Sequence, residues 1–203
     1  MNQTVQKLFE YFPDAKCALI YNTPWQLLLA TILSSQTKDE NVNKVTPVLF
    51  KEYPTLKLIA EAKQADIEKI IYSTGMYHSK AKNIINASKF IIANFTGKVP
   101  AAIADLIKIP GVARKTANVV LTEYFKQDYG IVVDTHVIRI AHRLGWTKET
   151  DPLKIEFDLM EKIDKKYWRN LTNVLIAHGR TICIAKKPKC EICKINKFCK
   201  FYS

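Results

Sequence analysis

The sequence predicts an all-α protein, and three features carry that prediction. Apolar residues recur at helical spacing in nearly every periodic segment, no segment sustains the alternation of a half-buried strand, and Gly and Pro fall between helical runs. Met1 to Phe12 reads as an amphipathic helix, without the continuous apolar core or small-residue cleavage site of an export signal. Thr23-Pro24 supplies an N-cap and a proline at the first helical position. The helix they open, Trp25 to Leu33, is apolar nearly all round and is therefore expected to be central and buried. After the loop Ser34-Ser35-Gln36, Thr37 and Glu40 form a capping-box pattern for the next helix, in which Pro47 is expected to impose a kink or a fresh start. A helix around Asp66 to Tyr72 ends near Gly75. Ser79 to Phe95 follows, with Ile84, Ile85, Ser88, Ile91, Ile92 and Phe95 on one face before Gly97 stops it. Pro100 opens a short helix, Pro110-Gly111 breaks it, and from Ala113 onward a second helix repeats Ala117, Val120, Leu121 and Tyr124 at helical spacing. Asp134 is placed to cap the run that starts Thr135-His136. Asp151-Pro152 caps a helix with Ile155, Leu159 and Ile163 inward, and Trp168 to Ile182 is the last helix before a cysteine-rich tail.

Composition narrows the function classes. With 203 residues and 48% apolar content the chain can bury a core, as one domain or two small ones, and it is not a disordered chain. Lys and Arg number 31 against 19 Asp and Glu, a formal net charge of +12 that favours a polyanionic partner. The charge is uneven: six lysines and a single acidic residue, Glu191, lie between Cys183 and Lys200. The longest apolar run, Leu27 to Leu33, is interrupted by Thr31 and falls far short of the roughly 20 residues that a membrane span needs. A reducing, cytosolic setting is expected, so the five cysteines should be thiols or metal ligands, with Cys17 a buried small hydrophobe.

The stretch from Leu106 to His136 carries the chemistry. Its helix, tight Pro110-Gly111 turn and second helix leave backbone N–H groups at the positive end of the second helix, a ready site for a phosphate. Gly111, Ala113 and Arg114 are the candidate phosphate contacts. Lys115 lies in that first turn, where the helix dipole disfavours an ammonium, and a neutral amine is what nucleophilic attack requires. Asp134 supplies a carboxylate, and a capping role and a catalytic one can coexist in it.

Cys183, Cys190, Cys193 and Cys199 follow the spacing C-x6-C-x2-C-x5-C. Four thiolates within 17 residues can surround one tetrahedral zinc or one cubane iron–sulfur cluster, and the spacing alone leaves both open. Either would fix Lys186, Lys187 and Lys189 in space and turn a charge run into positioned phosphate contacts, of which Lys187 is the named candidate.

Ile109 to Val120 and Val133 to His136 resemble the helix-hairpin-helix DNA glycosylases, specifically the endonuclease III family, whose motif is Leu-Pro-Gly-Val-Gly-Arg-Lys-Thr-Ala-Asn-Val-Val followed by Val-Asp-Thr-His. The likeness covers nearly the full length. It implies a two-domain helix-hairpin-helix glycosylase fold: a six-helix domain over residues 16–127, and a second helical domain from residues 1–15 plus 128–203 that carries the cluster loop. The active site is then expected in the cleft between them. The resemblance also implies a [4Fe–4S] cluster on the four cysteines, and Gln36 and Met76 as side chains that fill the gap left by an extruded nucleotide. Lys115 would be the nucleophile and Asp134 the group that stabilises positive charge on the sugar. The implied activity is a bifunctional glycosylase and abasic-site lyase that removes oxidised or damaged pyrimidines from double-stranded DNA in base excision repair. The implied setting is a monomer in the cytoplasm, associated with the nucleoid and not with a membrane.

A monofunctional adenine glycosylase of the same fold would carry a glutamate on the helix Trp25 to Leu33 and lack the lysine; here the glutamate is absent and Lys115 is present. A DNA-binding module without chemistry is the other alternative, separated from the enzyme only by Lys115 and Asp134. One departure stands out. Ala113 replaces the second hairpin glycine of the family, which costs little if the residue is helical and weakens phosphate binding if a left-handed conformation is required.

Overall fold

The computed structural model describes residues 1–202, and among them eleven α-helices and three short 3-10 turns account for all the regular structure. The chain divides into two compact units, Ala18–Phe125 and the combination of Met1–Cys17 with Lys126–Ser203.

The unit Ala18–Phe125 is built around one apolar helix. After α1 (Asn2–Tyr11), which belongs to the other unit, α2 (Pro24–Leu33) buries every residue from Leu27 to Leu33. A helix apolar on all sides can only be stable in the middle of its neighbours. It starts where Thr23 and Gln26 cap each other reciprocally, with Pro24 in the first turn where its missing N–H costs nothing. Around it stand α3 (Asp39–Glu52), α4 (Leu56–Glu61), α5 (Gln64–Ile71), α6 (Tyr77–Phe95), α7 (Ile103–Leu106) and α8 (Arg114–Glu123). α2 packs against α3, α6 and α8, while α4 and α5 pack on α6.

Several expectations are revised here. The capping box at Thr37 does not form: Lys38 occupies the cap position of α3 with no side-chain cap, and the Thr37 hydroxyl turns to the carbonyl of Thr74 instead. Pro47 causes no fresh start, because it is exposed and the hydrogen bond it cannot make lies on the solvent side of an unbroken 14-residue helix. α4, capped by Thr55, is too short for periodicity to announce it. Ile92 and Tyr124 are exposed and contribute no core contact of the kind their spacing suggests. Cys17 is only half-buried.

In the other unit α1 and α9 (Thr135–Leu144) pack on α11 (Lys165–Thr181), and α10 (Pro152–Lys162) adds Ile155 and Leu159 to the same core. Asp151 caps α10 by accepting from the N–H groups of Leu153 and Lys154. Gly179 lets α9 and α11 approach closely, since a Cβ there would lie 2.7 Å from His136 Nδ1 and 2.8 Å from Arg139 Nη2. The tail has no helix longer than a 3-10 turn; its shape comes from side chains of α9.

Candidate functional site

The hairpin is made by one turn and two apolar anchors. Val112 N–H donates to the Ile109 carbonyl at 3.0 Å, with Pro110 second and Gly111 third in the turn. Gly111 has φ of 78°, the value a type II turn demands at that position. Ile109 and Val112 are buried on either side, so the Pro-Gly tip is held outward. A Cβ on Gly111 would also come within 3.0 Å of the Asn83 Cβ. Ala113 is the N-cap of α8 at φ −84° and ψ 169°, which is neither helical nor left-handed. Extended backbone of this kind is open to any residue, so alanine stands in the glycine position without strain. Its side chain cannot cap, and no side-chain oxygen caps α8. Arg114 and Lys115 are the first two residues of that helix, Arg114 half-buried and Lys115 exposed.

Asp134 ends an extended segment whose Ile131, Val132 and Val133 are buried, with the Val132 carbonyl accepting from the Thr172 hydroxyl at 2.7 Å. Its Oδ1 accepts from the N–H groups of both His136 and Val137 at 2.8 Å, which caps α9. The carboxylate is half-buried and its cap uses one oxygen, so Oδ2 is left for another task.

The same helix organises the cysteine tail. Arg139 Nη2 donates to the carbonyls of Gly179 and Cys183, each at 3.1 Å. One turn later, Arg143 Nη1 donates to the Ile184 carbonyl at 2.9 Å and to Cys183 Sγ at 3.3 Å, and its Nη2 donates to the Ala185 carbonyl at 2.7 Å. Cys183, Cys190, Cys193 and Cys199 are all free thiols, and all line one opening whose walls include Ile140, Leu144, Ile182 and Ile195. Among the described residues no three His, Cys, Asp or Glu side chains converge as a ready single-ion site. The thiols face a shared volume. Burial, and then the charge of the neighbouring cysteines, pushes the Cys190 thiol up; burial does the same to Cys193. Such a crowd ionises together only around a strong cation. An apolar chamber with four sulfur donors therefore fits an iron–sulfur cluster. His178, buried beside it with Nε2 4.0 Å from Cys193 Sγ, is pushed down to about 4 by burial and by the Arg139 charge, so it is neutral near pH 7.

Lys187 is exposed, together with Lys186, at the tip of a loop closed by the Lys189 N–H bond to the Ile182 carbonyl at 2.9 Å. Gln36 and Met76 lie in two interhelix loops of the unit Ala18–Phe125, both exposed, and both have left-handed backbone, φ 52° and 46°. Neither residue is glycine, so each conformation is strained and must be held by its surroundings. Three residues of this machinery escaped the sequence reading. Arg139 and Arg143 carried a signal in their i, i+4 spacing behind Asp134. Lys80 carried one in falling on the same stripe of α6 as Ile84 and Ser88, and it is 3% exposed.

Comparison with known proteins identifies the family. Residues 29–165 match the model of the HhH-GPD superfamily of base excision DNA repair proteins, and residues 183–199 match the iron-sulfur binding domain of endonuclease III. Endonuclease III of Synechocystis sp. is 50% identical over 192 residues, covering 95% of this chain and 88% of its own. A solved structure of a trapped endonuclease III–DNA covalent intermediate is 37% identical with a TM-score of 0.94, covering 98% of this chain and 94% of that one. A non-covalent endonuclease III–DNA complex is similar at a TM-score of 0.93 and the same identity and coverage.

Proposed function

The chain belongs to the HhH-GPD superfamily and, within it, to the endonuclease III family, and on that premise we propose how its own residues perform the reaction. It is a DNA glycosylase with abasic-site lyase activity that removes oxidised or damaged pyrimidines from duplex DNA. We assign residues 16–127 to a six-helix domain that carries the hairpin, and residues 1–15 with 128–203 to a second domain that carries the cluster loop. The observation that carries the mechanism is an exposed lysine, Lys115, in the first turn of the helix that the Pro-Gly turn introduces.

The duplex docks by its phosphates on the turn at Gly111, Ala113 and Arg114 and on Lys187 of the tail. With the nucleotide extruded, Gln36 and Met76 fill the vacated stack. The amine of Lys115, its proton given up, attacks C1′ of the sugar, and the base leaves with the electron pair of the glycosidic bond. Positive charge that develops on the sugar is stabilised by the Asp134 carboxylate through its uncommitted oxygen, while the other keeps α9 capped. The Lys115 nitrogen then gives up a proton and its electron pair expels the ring oxygen O4′, which takes a proton as the C1′–O4′ bond breaks and the sugar opens. The resulting C1′=N iminium acidifies the C2′ proton, and loss of that proton expels the 3′ phosphate and cuts the strand. An attacking water would stop after base removal.

Cys183, Cys190, Cys193 and Cys199 hold a [4Fe–4S] cluster, which supplies a four-way cross-link to a segment that has little hydrogen-bonded structure of its own. Among the described residues no helix is long and apolar enough to cross a membrane, and the cytoplasm, on the nucleoid, is the assigned place of action.

Borohydride trapping on a thymine-glycol duplex tests the assignment. Lys115→Gln abolishes cross-linking and strand cleavage and leaves lesion binding largely intact. Asp134→Asn keeps an oxygen for the cap but loses the charge, so it slows base excision on the order of a hundredfold. That variant still cross-links to a preformed abasic site. Full trapping by Lys115→Gln moves the nucleophile elsewhere, and near-normal excision by Asp134→Asn reduces Asp134 to a cap.

A further inference from the structure

Among the described residues Lys80 is a buried charge with no opposite charge to offset it. It is 3% exposed, and its Nζ donates to Thr37 Oγ1 at 2.6 Å and to the Thr74 carbonyl at 2.7 Å, both neutral acceptors. It also sits in the first turn of α6, where the helix dipole opposes a cation. Burial lowers the affinity of this amine for its proton. Burying an ammonium without a carboxylate, at the wrong end of a helix, is a costly way to fill space that a methionine would fill without penalty.

What the ammonium joins explains its presence. Thr37 follows Gln36, and Thr74 precedes Met76 by two residues. The Thr37 hydroxyl itself donates to the Thr74 carbonyl, so Lys80, Thr37 and Thr74 form one closed knot between the α2–α3 loop and the α5–α6 loop. On each loop, next to the knot, stands the non-glycine residue with left-handed backbone, Gln36 or Met76. The Met76 carbonyl is also drawn in, accepting from Ser79 Oγ at 2.9 Å and from the Lys80 N–H at 3.1 Å. Strained backbone persists only where neighbours hold it, and here one buried cation holds both.

We propose that Lys80 is a positioning residue that clamps the two loops together and so fixes the spacing and backbone conformation with which Gln36 and Met76 enter the duplex. The proposal rests on the assignment of those two side chains as fillers of the vacated stack. Lys80 touches no DNA atom in this scheme; it converts two separate loops into one rigid wedge, and preorganisation of this kind lowers the cost of reaching the extruded state.

Lys80→Met keeps the stem and removes the clamp, and Thr37→Val removes the bridging hydroxyl while leaving Lys80 in place. Single-turnover excision is measured for thymine glycol in an intact duplex and opposite a one-nucleotide gap, where no wedge is needed. Both variants slow excision from the duplex on the order of tenfold and from the gapped substrate much less. The melting temperature of Lys80→Met does not fall in proportion, because replacing a buried charge by an apolar side chain is often neutral or stabilising, whereas Thr37→Val leaves the ammonium with one partner fewer and is judged by its duplex-to-gap ratio alone. Amide hydrogen exchange at Ser35–Thr37 and Gly75–Tyr77 accelerates in Lys80→Met beyond the rest of the chain. Equal loss on both substrates with a matching fall in melting temperature marks Lys80 as merely structural and overturns the proposal, as does unchanged duplex excision with unchanged exchange. Gln36→Ala and Met76→Ala on the same two substrates separate the two ideas. If they slow duplex excision selectively and Lys80→Met does not, the wedge stands and the clamp falls. If they show no selectivity, the wedge assignment falls, and local exchange in the two loops alone decides whether Lys80 clamps them.

Discussion

The hairpin at Ile109–Lys115 and the tail at Cys183–Cys199 are both assigned to DNA phosphate, yet they are built by opposite means. The hairpin closes on itself: one backbone hydrogen bond, a proline that presets φ, a glycine at φ 78° and two buried anchors define it within a few residues. Nothing outside the turn and its neighbouring helices is needed. The tail has little local closure: two 3-10 turns, a backbone bond from Lys189 to Ile182, and Asn196, whose N–H donates to the Cys193 carbonyl at 3.1 Å and whose side chain donates to the Cys190 carbonyl at 3.3 Å. Its shape depends on what is attached to it: Arg139 and Arg143 at its backbone carbonyls, and the cluster at its cysteines. A self-closing turn presents N–H groups whose positions cannot drift, which suits the site of chemistry. A ligand-closed loop reaches further with long lysine side chains, but it loses its shape when the ligand goes.

The largest effect that could break this contrast is loss of the cluster. Purified protein should be brown, with about four irons and inorganic sulfide per chain. Cys190→Ser should chiefly lower folded yield and DNA affinity, and the protein that does fold should still trap a preformed abasic site. Stoichiometric zinc without sulfide would refute the cluster. A variant that folds and binds normally yet has lost only chemistry would refute the structural role and erase the distinction between the two regions. On the hairpin side, Gly111→Ala should weaken DNA binding with the tail and its iron content untouched. Alanine at φ 78° costs about 1–2 kcal/mol in backbone strain. Its Cβ also meets Asn83 at 3.0 Å, so the turn must move or Asn83 must. Normal affinity in that variant would mean the turn does not set the phosphate site.

The same contrast decides how much was legible beforehand. The hairpin could be read because it is local: Pro-Gly, the apolar anchors and the lysine are consecutive, and Asp134 announces its cap in the residues that follow it. The cysteines could be read by spacing, but spacing alone left zinc and a cluster equal, since ligand choice depends on the three-dimensional chamber and on family likeness. Arg139 and Arg143 went unread because their i, i+4 spacing says only that they share a helix face, and it does not name their partners, backbone carbonyls about 40 residues away. Thr37 was misread for a related reason. A cap pattern is a local signal, and the Thr37 hydroxyl found a better long-range partner in Thr74 and Lys80. The left-handed backbone at Gln36 and Met76 was equally silent, because no glycine or asparagine marks either position.

Ala113→Gly is the smallest expected effect and the finest test of the self-closing hairpin. The change restores the residue that the family motif carries, so a gain in DNA binding is the naive expectation. The backbone at φ −84° and ψ 169° argues otherwise, because a residue already in an extended conformation gains nothing from access to positive φ. Two stability terms oppose each other. Glycine adds unfolded-state entropy, which costs about 0.4–1 kcal/mol. Glycine is also the better N-cap of the two, recovering an amount of the same order because the Ala113 side chain cannot cap. Net stability should therefore stay within about 0.5 kcal/mol of the parent. Affinity for lesion duplex and the dependence of that affinity on salt should be unchanged, since no phosphate contact is added or removed. A tenfold rise in affinity at constant stability would show that the alanine methyl obstructs the phosphate or that binding draws this residue into positive φ, and the hairpin would then be a turn that DNA reshapes instead of one that stands ready.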